Sequence, residues 1–164
     1  MLLRAVDHPS SSQSRDRFKS HRIADGRYAE GVLTLSTELQ LELIAHCIRS
    51  LPEEGCGLLI GEYETGLVAR VAPAENVAHS AMIYTVDPKA FLAADREASK
   101  DGLDVIGVFH SHTHTEAFPS PTDVAQAPDP GWHYVLVSLR DTHPVLRSYR
   151  IANGTITEEP VRPG

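Results

Sequence analysis

Cysteine is nearly absent from this 164-residue chain, which holds only Cys47 and Cys56. Both lie in apolar stretches, where they are expected to be core thiols, not a bridge or metal clip, and a disulfide scaffold is excluded. Long apolar runs are also missing: nowhere do 18 consecutive apolar residues occur, so a membrane-spanning helix is not expected. The stretch before Glu30 lacks the apolar core of a secretory signal, and a reducing, cytoplasmic location is the expectation. Basic residues are in deficit, 15 Lys+Arg against 22 Asp+Glu, giving a formal charge of −7. That balance disfavours the phosphate neutralisation on which nucleic-acid binding depends. Aromatic residues make up only 6% of the chain.

What the chain does have is enough apolar content, 41%, for one hydrophobic core, and its length is that of one domain. Residues 1–30 are polar, include the Ser-rich tract Ser10 to Ser14, and read as a flexible extension to a domain over 31–164. Ser36 precedes a helical pattern to about residue 50, with Leu41, Ile44, Ala45 and Ile48 on one face. The runs Gly57 to Gly61, Leu67 to Val71, Val105 to Phe109, Tyr134 to Leu139 and Val145 to Ile151 read as strands. Pro88 opens a second helix that ends near Gly102, and Asn153-Gly154 signals a hairpin returning through Thr155 to Thr157. The fold class is therefore α/β, with a mixed sheet of several strands.

Histidine is abundant, nine in all, and three fall within His110-Ser111-His112-Thr113-His114 at the end of a predicted strand. Side chains two apart on a strand point the same way, so His110 and His112 can reach one point in space. Asp123, three residues after Ser120, can complete a set of three ligands. Ser120-Pro121-Thr122-Asp123 also has the form of a helix capping box, and the two roles are compatible. Zinc held by two His and one carboxylate keeps a position for water and points to hydrolysis. The acidic pair Glu53-Glu54 ahead of Cys56 can supply a proton acceptor.

Together, Glu54-Gly55-Cys56-Gly57, His110-Ser111-His112 and Pro119-Ser120-Pro121-Thr122-Asp123 closely resemble the JAMM (MPN+) metalloprotease family, over about residues 32 to 161. The resemblance implies a cytidine-deaminase-like α/β fold, a curved mixed sheet flanked by helices. It also implies Zn2+ on His110, His112 and Asp123, Glu54 as the acid–base residue and not Glu53, and Ser120 as a donor to the developing oxyanion. Within the family, the stretches His110 to Val124, His133 to Ser138 and Leu146 to Ile151 look like an actinobacterial branch. Its members cleave the amide joining a ubiquitin-like sulfur-carrier protein to cysteine, so such a carrier is the implied partner. Thr113 stands where many eukaryotic members have Pro, which leaves the ligand spacing unchanged.

Other readings compete. The same motif serves isopeptidases of other ubiquitin-like modifiers, whose leaving group is a lysine or a peptide. A metal-free MPN scaffold usually lacks a ligand, whereas every ligand position here is filled. A zinc deaminase needs a P-C-x-x-C pair that this chain lacks. Cys56 has no base beside it in sequence and is expected to be a buried thiol, Trp132 a core anchor, and His114 a rim residue and not a ligand.

Overall fold

The computed structural model describes residues 31–164; the expected extension over 1–30 lies outside the described residues. Eleven elements follow in order: β1 (Leu33–Thr34), α1 (Thr37–Ser50), β2 (Cys56–Glu62), β3 (Leu67–Ala74), α2 (Pro88–Lys100), β4 (Asp104–His112), α3 (Pro121–Gln126), β5 (His133–Ser138), β6 (Val145–Ala152), β7 (Thr155–Glu159) and β8 (Val161–Arg162). The strands form one mixed sheet in the order β7-β6-β5-β4-β2-β3-β1-β8. β4 and β5 run parallel across α3, while β2 is antiparallel to both β3 and β4. The α/β class expected from the sequence is the one observed.

The two outermost strands, β7 and β8, are separated in sequence by Pro160 alone. One residue spans no more than about 3.6 Å, so the edges of the sheet must come together and the sheet curls almost closed. A side chain built at Gly66 would meet His133 on β5, although β2 and β4 separate β3 from β5 in the sheet. The face bearing His133 is thus the concave one.

Alternation along the strands sorts the core into two layers. Leu59, Ile106, Phe109, Val135 and Val137 pack with Leu43 and Cys47 of α1 on the concave face. Leu58, Val108, Tyr134, Leu136 and Tyr149 pack with Ala98 of α2 on the other, where Val124 of α3 also rests. Each helix begins where its capping residue dictates. The Ser36 side chain accepts from Leu39 N, and Asp87 accepts from Lys89 N with Pro88 in the first turn. Asn153 (φ 51°) and Gly154 (φ 78°) both have positive φ, as a two-residue hairpin turn of matching twist requires.

One expectation needs correction, and two short strands were not anticipated. α1 meets the sheet through Leu43 and Cys47, with Ile44 packed beside them as expected, whereas Leu41 is 62% and Ile48 48% exposed. The helix carries apolar residues on overlapping stripes, and the stripe that includes Cys47 is the one aligned with the sheet. The short strands β1 and β8 also gave no sequence signal, since two residues carry no periodicity. The remaining strands and α2 lie within a few residues of their expected positions. No helix among the described residues is long and apolar enough to cross a membrane.

Candidate metal centre

β4 carries His110 and His112 at its C-terminal end, flanked by β2 on one side and β5 on the other. A central strand position buries both imidazoles, at 1% and 6% exposure. Their Nε2 atoms lie 3.2 Å apart. Asp123 reaches them from α3, with Oδ1 3.3 Å from His110 Nε2 and Oδ2 3.3 Å from His112 Nε2. Burial opposes the charge on Asp123, but the two imidazoles hold its carboxyl well below the usual carboxylate range.

These separations fit a metal. An ion with tetrahedral donors at about 2.0–2.1 Å places those donors roughly 3.3–3.4 Å from one another, and this is the spacing observed. Among the described residues these three form the one His/Cys/Asp/Glu group with ligand atoms all within 4.8 Å. The outer nitrogen of His112 supports the same reading. His112 Nδ1 donates to the Glu116 carbonyl at 2.8 Å, leaving the Nε2 lone pair aimed at the shared point.

The capping box is present as well as the ligand geometry. Ser120 N donates to Asp123 Oδ2 at 2.7 Å, and Asp123 N donates to Ser120 Oγ at 3.2 Å. The box fixes the carboxylate in the direction of the histidines, so helix capping and ligand placement are one arrangement. Because Ser120 Oγ accepts that bond, its hydroxyl hydrogen remains available to a group entering the site.

Glu54 comes close through register. Cys56 faces His110 across β2 and β4, and Gly55 binds Ser111 twice: Ser111 N donates to Gly55 O at 2.9 Å and Gly55 N donates to Ser111 Oγ at 2.9 Å. Two residues before Cys56, Glu54 therefore falls opposite His112. It is only 4% exposed, and burial pushes its carboxyl up to about 7, with His112 opposing the rise and Asp123 adding to it. Glu53, by contrast, faces outward and lies 3.5 Å from the exposed His79.

A groove of about 580 Å³ adjoins the centre, lined by His112, Phe118, Ser120, Val124 and Ile156 among others. His114 is exposed, lies beyond the end of β4, and contacts Thr113 Oγ1 through Nδ1 at 2.6 Å, outside the ligand cluster. Cys56 is fully buried and its thiol is pushed up to about 12 by burial, which makes it inert as a nucleophile. Trp132 packs against the second core layer, 6.1 Å from the ring of Phe91. The loop over residues 75–87, which closes over Glu54 and His110, gave no signal in the sequence; its importance rests on contacts distant along the chain.

A curled mixed sheet with two strand-borne imidazoles and a helix-capping carboxylate around one point defines a metal-centred α/β protein. The chain belongs to the JAB family: that of prokaryotic homologs of the JAB domain matches residues 36–152. It is 44% identical over 132 residues to the CysO-cysteine peptidase of Mycobacterium tuberculosis, covering 79% of this chain and 90% of that one. The probable TtuB-protein conjugate cleaving protease of Thermus thermophilus is 39% identical over 103 residues, 62% of this chain and 68% of its own. A solution structure from Desulfitobacterium hafniense superposes with a TM-score of 0.75 at 34% identity, covering 82% of this chain and 93% of that one. A JAB1/MPN domain protein from Archaeoglobus fulgidus, at 20% identity and a TM-score of 0.51 over 79% of this chain and 98% of its own, shares the fold. JAMM-type members of this family are metal-dependent hydrolases, and this chain presents a His-His-Asp group that could hold a metal ion.

Proposed function

We propose that this chain is a zinc-dependent cytoplasmic hydrolase that cleaves the amide between the C-terminal glycine of a ubiquitin-like sulfur-carrier protein and cysteine. The observation that carries the proposal is the convergence of His110, His112 and Asp123 at 3.2–3.3 Å beside the buried Glu54. The mycobacterial relative named a CysO-cysteine peptidase supports the choice of substrate.

His110, His112 and Asp123 would hold the zinc. When bound, the ion would act as a Lewis acid on the scissile carbonyl and acidify a water molecule. Glu54, raised by burial to about 7, accepts the proton of the attacking water near neutral pH and returns it to the leaving amine. The Ser120 hydroxyl donates to the carbonyl oxygen as negative charge develops there, a role worth about 3 kcal/mol of barrier in comparable sites. The groove beside Phe118 and Ile156 receives the chain leading to the scissile bond.

The Thermus relative, named for cleaving protein conjugates, favours a second reading in which the leaving group is a lysine side chain. Purified enzyme incubated with a carrier–cysteine adduct and with a carrier–lysine isopeptide separates the two. Release of free cysteine from the first at the higher kcat/KM is expected, and faster cleavage of the second would replace this assignment.

A further inference from the structure

The two histidines of the centre are held in different ways. His112 gives its outer Nδ1–H to a backbone carbonyl, the usual means of fixing a ligand's tautomer and ring plane. His110 is more deeply buried, and its Nδ1 has no hydrogen-bond partner among the described residues. What it has is a ring. Tyr84 lies flat against it, with ring centroids 4.1 Å apart and planes inclined by 19°.

Tyr84 comes from the loop over residues 75–87 between β3 and α2, and that loop is heavily fastened. Asn76, 5% exposed, donates through Nδ2 to the carbonyls of Glu54, Ser80 and Ile83 at 3.0–3.3 Å. Its Oδ1 accepts from Ala78 N and Thr85 N at 3.1 and 3.0 Å. Val77 N donates to Thr85 O, and Asn76 bridges Val86, so both ends of the loop are pinned around Tyr84. Thr113, next to the ligands, donates its hydroxyl to Ala81 O at 2.9 Å. Glu54 N donates to Ser80 O, which ties the loop to the acid–base residue as well.

We propose that Tyr84 is a positioning residue for the metal centre, its stacked ring holding the His110 imidazole in the ligating plane in place of an outer hydrogen bond. The proposal rests on the reading of His110 as a metal ligand. A flat partner restricts tilting of the imidazole without demanding a particular tautomer. A nonaromatic side chain can fill the space but offers no plane.

The test is zinc affinity of the full chain, measured by competition with a chromogenic chelator, in wild type, Y84F, Y84L, Y84M and H110A. Loss of an outer partner commonly weakens metal binding about 10–100-fold. Y84L and Y84M are expected to lose at least about tenfold while their metal-free melting temperatures stay near wild type. Y84F is expected to bind within about threefold of wild type, because it keeps the ring. A Y84L or Y84M chain that folds and binds zinc as tightly as wild type would overturn the role of Tyr84. So would failure of every nonaromatic variant to fold, since Tyr84 would then be a core residue. H110A binding zinc like wild type would instead overturn the reading of His110 as a ligand, which separates the two failures.

Discussion

Among the described residues, two buried histidine–carboxylate clusters lie on opposite faces of one sheet. On the convex face, His110 and His112 meet Asp123 at 3.3 Å, and the outer His110 Nδ1 has no hydrogen-bond partner among the described residues. On the concave face, His133 Nδ1 donates to Glu159 Oε1 at 2.6 Å, Ser148 Oγ donates to the same oxygen at 2.7 Å, and Arg150 Nε donates to Oε2 at 2.9 Å. Arg150 Nη2 also donates to His133 Nε2 at 3.0 Å, and Arg150 closes on the Gly131 carbonyl. Because Nε2 must accept there, His133 is neutral with its hydrogen on Nδ1. The second cluster is saturated and joins β5, β6 and β7. The first is convergent but unsaturated. Similar groups are thus a fastening in one place and a candidate binding site in the other, and the difference lies in how completely the lone pairs and hydrogens are matched.

This comparison can be broken by variants that should affect only one side of it. The largest effect is expected for Glu54→Gln, which should retain zinc, as read by metal analysis, yet lower turnover about 10²–10⁴-fold by removing the proton acceptor. Full activity would show that the base is wrongly assigned. Glu159→Ala should do the reverse: leaving Arg150 and His133 buried without their carboxylate is expected to cost about 3–5 kcal/mol in urea unfolding, with zinc affinity unchanged. A matching loss of zinc would join the two clusters into one unit.

Ser120→Ala is expected to lower kcat by about 10²-fold through the lost donor, with a smaller stability loss from the cap. A change in KM alone would deny it the oxyanion role.

The smallest effect concerns pH. Burial, despite Glu159, lowers the pKa of His133 from 6.5, and the Glu159 carboxyl is held below 4.5 by His133, Arg150 and Ser148 although burial opposes it. Between each folded value and its unfolded one, the unfolded chain binds more protons, so stability rises with pH. The metal-free protein should accordingly lose stability as pH falls below about 6.5 from His133, and further below about 4.5 from Glu159. Because burial raises Glu54 to about 7 and so gives it the opposite sign over this range, the check is the difference in urea midpoints between wild type and His133→Gln from pH 7.5 to 5.5, over which the variant should lose less than wild type.

The convergence of His110, His112 and Asp123 was legible because its parts are local or fall on fixed motifs. His110 and His112 share a strand face by the period of two, and Asp123 sits in a capping box that can be read letter by letter. Glu54 needed the family resemblance, since nothing in its own segment says that Gly55 will pair with Ser111. The saturated cluster left no trace in the sequence: His133 and Glu159 are 26 residues apart, and only the pairing of β5, β6 and β7 brings them together. Tyr84 was missed for the same reason, being set against His110 by a loop whose anchor is Asn76. The face of α1 was misread because Leu41 and Ile48 match the helical period as well as Leu43 and Cys47 do. Period alone cannot choose between two apolar stripes when the sheet decides.

The most direct test is a crystal structure of the zinc-soaked full chain with diffraction recorded on both sides of the zinc absorption edge. The expected result is one anomalous peak within coordinating distance of His110 Nε2, His112 Nε2 and an Asp123 carboxylate oxygen, with none at His133 and Glu159. A peak at the second cluster alone, or none at the first after soaking, would contradict the account.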